Sequence, residues 1–370
     1  MEQSLGNLFF GPLISSFLVS FLSTPFTILW AKKIKLIDDP KTHKHPKVVH
    51  QYPVPRAGGI PLYLGFLTII FFLFLNKHLG GIILGATIAL IVGLLDDRFE
   101  EKISPFLRLL TNLLAAGMVV GAGIGISFIT NPLTGGIIHL DQPKIYFNFL
   151  GQTRTFFPLA DILAVFWIAW CMNFVGWSAG VDGQLPGFVT IAAFVIGLLS
   201  LRFRQDITQW PVIILAMVTA GTYLGFLFWN FYPQKIIPGY GGKSLAGFLL
   251  GTLSILSGAK LATAILVLGI PLTDATFLFF KRISEGRSPV WGGREHLHHR
   301  LLDLGWGKRK IAFFYWTTSG LLGILALNLN SKQKFYTIIL LPALFFICLV
   351  WIKFLSTFLK PPVQDSGSKT

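Results

Sequence analysis

Residues 79–97 read LGGIILGATIALIVGLLDD, an uncharged apolar run that ends in two adjacent aspartates, Asp96 and Asp97, with Arg98 next. At 1.5 Å per residue, a helix over this run approaches the roughly 30 Å hydrocarbon core of a bilayer, and charge enters only where that core would end. Runs of the same kind recur near 8–31, 58–76, 106–126, 159–176, 187–201, 211–229, 244–259, 261–280, 312–328 and 336–356. They predict about eleven spans. The whole chain of 370 residues agrees, with 53% hydrophobic and only 13% charged residues and a mean hydropathy of +0.66. Such a mixture cannot cover the surface of a water-soluble globule. The expected fold is therefore all-α: a polytopic integral membrane bundle of about ten or eleven helices, with residues 1–360 as one transmembrane domain and 361–370 as a short disordered tail.

The stretch from Leu8 to Trp30 is too long for a signal-peptide core, and acidic Glu2 stands where a basic leader belongs, so it reads as a retained first span. Cys171 and Cys348 both fall in apolar runs, where neither a disulfide framework nor a zinc cluster is expected. The net charge of +15 does not imply nucleic acid, because no basic run is interleaved with aromatics in a soluble segment. Its distribution is more informative. Alternation of the spans puts the loops at 32–57, 96–105, 177–186, 230–243 and 281–311 on one face, together with most of the 31 Lys and Arg residues. The positive-inside tendency makes that face cytoplasmic, and the protein is expected to be a multi-pass protein of the plasma membrane. Arg202 and Arg204, in one short loop on the other face, fit this topology least well, so span six or seven is its weakest joint. On that same face, Gly135-Gly136 followed by alternating Ile138, Leu140, Ile145, Phe147 and Phe149 predicts a small hairpin.

Three loops of the basic face concentrate the polar chemistry. Asp96 and Asp97 repel and desolvate badly, so they call for a divalent cation or a basic clamp, unless they form a plain solvated helix end. Residues 173–187, NFVGWSAGVDGQLPG, form a glycine-rich break carrying a third carboxylate, Asp182; it reads equally as an ordinary turn or as backbone lining a polar site. Arg294-Glu295-His296-Leu297-His298-His299-Arg300 packs three of the eight histidines into four positions, a pattern that suits phosphate recognition or a solvated charged face. Asp274, inside the ninth span, expects a polar interior or a basic neighbour.

Taken in order, these motifs resemble the polyprenyl-phosphate N-acetylhexosamine-1-phosphate transferases of glycosyltransferase family 4, in the branch that uses UDP-GlcNAc or a related donor and is related to phospho-N-acetylmuramoyl-pentapeptide transferase. The resemblance rests on Pro55-Arg56-Ala57-Gly58-Gly59, Gly93 to Asp97, Pro105 with Arg108 and Asn112, Asn173 with Asp182-Gly183, Gly225 to Leu227 with Asn230 and Pro233, Pro271 with Asp274, Gly286 to Pro289, and His296 to Arg300. Departures stand beside it. Gly176 and Ala179 replace an Asn and an Asp, Gly293 replaces an Asp, and Tyr240 in Gly239-Tyr240-Gly241-Gly242-Lys243 replaces a metal-binding Asp.

The resemblance implies transfer of a HexNAc-1-phosphate from a UDP-HexNAc to a polyprenyl phosphate at the cytoplasmic face, with Mg²⁺, or Mn²⁺ in its place, as cofactor. It assigns Asp96, Asp97 and Asp182 to catalysis, with Asp97 and Asp182 on the metal. Arg108, Asn112, Asn173, Asn230, Arg294, His296, His298, His299 and Arg300 become substrate-binding residues. A homodimer is one assembly it leaves available. Two alternatives stay open at this point: a catalytically degenerate relative that binds lipid phosphate or UDP-sugar, and a transporter or flippase, which would hold ionisable groups at mid-membrane depth.

Overall fold

The computed structural model describes residues 5–41, 49–99, 103–131, 134–149, 151–256, 261–288 and 293–359. The expected disordered tail, and Pro289 of the third loop, lie outside the described residues. The described residues form thirteen α-helices: α1 (Gly11–Lys33), α2 (Gly59–Leu67), α3 (Lys77–Arg98), α4 (Pro105–Gly121), α5 (Pro158–Trp177), α6 (Gln184–Leu201), α7 (Trp210–Asn230), α8 (Gly239–Ile255), α9 (Leu261–Val267), α10 (Gly269–Ser284), α11 (Leu297–Asp303), α12 (Lys308–Asn328) and α13 (Ser331–Leu359). Every apolar run expected as a span overlaps at least one of them. Among the described residues, six helices are long and apolar enough to cross a bilayer, and a seventh span results if α9 and α10 are counted together. The shorter apolar helices include α4 and α2, the latter continued by a 3₁₀ turn over Thr68–Phe71.

The ninth run is a correction, because α9 and α10 meet at 82° instead of continuing as one helix. Pro271 explains the break: its ring lacks an N–H and collides with the carbonyl four residues back, at Val267, where α9 ends.

The helices pack as lipid-immersed elements do. On α1, Ser16, Ser20 and Thr24 face inward, with Ser16 and Thr24 donating to carbonyls one turn back, while Leu18, Leu22, Phe26 and Leu29 face outward. In lipid, close approach of small residues replaces the hydrophobic drive that would bury leucines in water. α7 answers with Gly221 and Gly225, one turn apart, where a Cβ would strike the carbonyls of Leu13 and Phe17. α8 is sheathed on nearly all sides, and its Gly247 and Gly251 lie against α5 in the same manner. α6 and α7 run along each other with Arg202 and Arg204 in the turn between them, so spans six and seven are two separate helices as drawn.

Among the described residues, six short strands form three antiparallel pairs. β1 (Ile37–Asp38) pairs with β2 (Val54–Pro55) beside α2. The expected single hairpin is two, β3 (Phe128–Thr130) with β4 (Ile137–His139) and β5 (Ile145–Phe149) with β6 (Gln152–Phe156). Asp141-Gln142-Pro143-Lys144 divides the alternating run, since proline cannot donate to a ladder.

Candidate functional site

The first corner of the site is built where α3 crosses α8. A Cβ on Gly93 would collide with the Gly241 backbone, so glycine at position 93 lets the helices touch and brings the start of α8 onto the end of α3. Tyr240 N–H then donates to Asp97 Oδ1 at 2.9 Å. Gly239 adopts φ +68°, a left-handed conformation, and a Cβ there would strike Asp97 Oδ2, so only glycine combines this turn with this approach. Arg56 Nε lies 3.6 Å from Asp97 Oδ1, while Arg56 Nη1 lies 3.7 Å from Asp38 Oδ2. Asp96 turns the other way and accepts from Arg108 Nε at 2.5 Å. The adjacent carboxylates thus take the basic clamp, one guanidinium each. Asp97 Oδ2 is buried and has no hydrogen-bond partner among the described residues.

Tyr240 sends its ring away from Asp97. Its hydroxyl contacts Asn112 Oδ1 at 3.3 Å and Arg108 O at 3.4 Å, with the Arg108 guanidinium 5.5 Å above the ring. Ser244 Oγ donates to the same Asn112 oxygen at 3.0 Å, so Asn112 fastens α4 to α8.

At the second corner, Asp182 is fully buried. Lys308 Nζ, at the start of α12, donates to its Oδ1 at 3.0 Å, and Gln234 N–H donates to its Oδ2 at 3.3 Å. Asn230 is a brace: its Oδ1 accepts from Gly183 N–H at 3.1 Å, and its Nδ2 donates to Ile236 O at 2.8 Å and Gln234 Oε1 at 3.1 Å. Trp316 Nε1 donates to Gly183 O at 3.1 Å. The segment between α7 and α8 joins the two corners, with Gln234 at Asp182 and Tyr240 at Asp97. Ile237 pins it to α2 through hydrogen bonds with Pro55 and Gly58. Asn173 stands apart, its amide donating to Ala169 O within its own helix at 2.7 Å.

The third corner is the histidine cluster. Asp274 contacts His296 Nδ1 at 2.8 Å and accepts Leu297 N–H at 3.1 Å, so one carboxylate orients the ring and starts α11. The His296 and His298 rings lie 5° from parallel with centroids 5.8 Å apart, and His299 lies 4.2 Å from His298. A Cβ on Gly180 would run into the His298 ring, which places the glycine-rich loop directly on the cluster. Arg300 Nε donates to Glu295 O at 2.9 Å. Arg294 is directed instead to Asp303 on the surface, at 2.7 Å. Glu295 collects Lys281, Arg282 and Arg287 at 3.2, 3.1 and 3.1 Å. Partial burial works against its charge, but the hydrogen bonds from Lys281, Arg287 and Arg282 prevail and bring its pKa down to about 2.

Three carboxylate corners therefore form one connected cluster of ends from α3, α4, α5, α6, α7, α8, α10, α11 and α12. Among the described residues, no group of three or more His, Cys, Asp or Glu side chains is arranged to hold a metal ion. Asp97 offers one unengaged oxygen, which suits Mg²⁺ where substrate phosphates and water complete its shell. Asp182 offers none.

A family model described as Glycosyl transferase family 4 matches residues 79–258. The undecaprenyl-phosphate alpha-N-acetylglucosaminyl 1-phosphate transferase of Pasteurella multocida is 30% identical over 313 residues, covering 80% of each chain. The chain belongs to glycosyl transferase family 4. A second family 4 relative, the probable undecaprenyl-phosphate N-acetylglucosaminyl 1-phosphate transferase of Bacillus subtilis, is 28% identical over 331 residues, with 86% of this chain and 85% of that one covered. The decaprenyl-phosphate N-acetylglucosaminephosphotransferase of Mycobacterium leprae is 27% identical over 342 residues, at 83% and 80% coverage.

Several residues of this family 4 site carry no signal of their own in the sequence. Lys308 sits in the run Lys308-Arg309-Lys310, which reads only as positive-inside charge, and Gln234 meets Asp182 through its backbone. Glu295 looks like one acid in a basic run, yet it gathers three cations. Arg56 could have been found, since it stands in the Pro-Arg-Ala-Gly-Gly motif.

Proposed function

We propose that this chain transfers N-acetylglucosamine-1-phosphate from a UDP-sugar to a polyprenyl phosphate at the cytoplasmic face of the plasma membrane, releasing UMP. The observation that carries this is Asp97 Oδ2, a buried carboxylate oxygen with no hydrogen-bond partner among the described residues, beside Arg56 and next to the Asp96–Arg108 pair. The names of the family 4 relatives support the acceptor and the transferred group. The basic loops support the cytoplasmic face.

In the reaction, an oxygen of the lipid phosphate forms a bond to the phosphorus that carries the sugar, and the bond from that phosphorus to the bridging oxygen breaks, so UMP leaves with the bond's electrons. Asp97 Oδ2 holds or accepts the acceptor's proton, and Arg56 fixes the carboxylate while offsetting its charge. Arg108, held by Asp96, draws the acceptor phosphate. His298, His299 and Arg300 bind the donor diphosphate through charge-assisted hydrogen bonds. A divalent cation bound with the donor would be held by Asp97 and would neutralise phosphate charge.

The transporter alternative expects ionisable groups at mid-membrane depth. The described clusters lie instead at helix ends, and Asp274, the exception, is engaged by His296 and Leu297. Membranes containing the protein, incubated with labelled UDP-GlcNAc and a polyprenyl phosphate, are expected to form a lipid-linked sugar diphosphate and free UMP. Folded protein that yields neither product overturns the proposal.

A further inference from the structure

Asp182 has no exposed surface, and a carboxylate so buried needs compensating charge and hydrogen bonds to remain ionised. Both of its oxygens are engaged by the chain itself, one by the Lys308 ammonium and one by the Gln234 amide. Lys308 is fixed at the first position of α12 after the Gly307 cap, and its ammonium lies 5.7 Å from the Tyr232 ring centroid. A divalent cation on Asp182 would have to sit beside this ammonium and be repelled by it. Asp182 is therefore already compensated by the chain's own cation, whereas Asp97 has an oxygen with no hydrogen-bond partner among the described residues.

We propose that Lys308 is a built-in substitute for a divalent cation at Asp182, so that Asp97, and not Asp182, is the carboxylate that touches a metal ion. Lys308 is a positioning residue. By fixing Asp182 it fixes Gln234, and through the segment ahead of α8 it sets where Tyr240 N–H meets Asp97. This inference deepens the transferase reading and rests on it for its role in catalysis, although the ion pair is tested without substrate.

The test is thermal unfolding of purified full-length protein with millimolar Mg²⁺ or with a chelator, without donor or acceptor. Lys308→Ala is expected to lower the midpoint by about 5 °C, because it strands a buried charge. Mg²⁺ should recover at least half of that loss. The double variant Lys308→Ala/Asp182→Asn should lack the Mg²⁺ response, and Lys308→Arg should restore a wild-type midpoint without Mg²⁺. A Lys308→Ala midpoint indifferent to Mg²⁺ overturns the proposal. So does a wild-type Mg²⁺ shift that disappears in Asp182→Asn. If Lys308→Ala does not fold, this comparison of wild type with Asp182→Asn decides alone, an unchanged Mg²⁺ response supporting the proposal. Missing transferase activity would refute the proposed function and leave these midpoints as they are.

Discussion

Asp97 and Asp182 are both buried carboxylates at helix ends, and both are tied to the segment between α7 and α8, yet their surroundings differ in kind. Asp182 has both oxygens satisfied and holds three parts of the chain together. Asp97 has one oxygen satisfied, a guanidinium at 3.6 Å and one oxygen with no hydrogen-bond partner among the described residues. The contrast teaches that burial and charge do not by themselves mark a reactive group. What marks it is an unmet bonding capacity that the fold maintains at a cost, since a buried acceptor without a partner is destabilising by about 1–3 kcal/mol.

The largest effect that could break this contrast is on transfer. Asp97→Asn keeps an oxygen for Tyr240 N–H and removes the open anionic one, so activity should fall by about 10³-fold with little change in thermal midpoint. Activity within threefold of wild type would place the chemistry elsewhere. Asp182→Ala should show the converse, lowering stability by about 3–5 kcal/mol because Lys308 loses its partner; denaturant melts of both variants compare the two directly. A smaller change is expected at the histidine corner, where His298→Ala should reduce kcat/KM for the donor by about 10- to 100-fold through one lost charge-assisted contact. Gly180→Ala should reproduce that loss, since a methyl there displaces the same ring. Kinetics unchanged in both would remove this corner from the site.

The smallest effect concerns Glu295. Its folded pKa of about 2 lies below the usual 4.5, so its pairing with Lys281, Arg282 and Arg287 contributes stability above about pH 4.5 that is lost as pH falls through about 2. Glu295→Gln should flatten the stability profile across that window, and a slope equal to wild type would show that the three cations do not act on this carboxyl. Solvent screening at a partly exposed site keeps the difference small.

The helical runs and the sharing of one face by the polar loops are legible in the sequence, because hydropathy and basic charge are local properties that a bilayer reads directly. Asp96 and Asp97 are legible for the same reason: charge placed at the end of an apolar run must be answered by something. The partners are not. Lys308 lies 126 positions from Asp182, and nothing near either residue announces the pair. Asn230 is expected to bind substrate, and in the fold it also braces the turn through Gly183, Gln234 and Ile236, contacts that only the folded turn creates. Arg294 shares a basic run with the histidines, and the start of α11 turns it to Asp303. The bend ahead of Pro271 was visible as a proline, although hydropathy alone joins the two pieces.

The tether from Gln234 to Tyr240 also acts as a gauge. Gln234 N–H is fixed at one carboxylate and Tyr240 N–H at the other, and six residue steps of chain reach at most about 20 Å when fully extended. The two corners therefore cannot separate beyond that length while both bonds hold. Any ligand that spans them is measured against a ruler made of backbone, and a change in the length of this tether would reset the size of what fits without altering a single side chain that touches it.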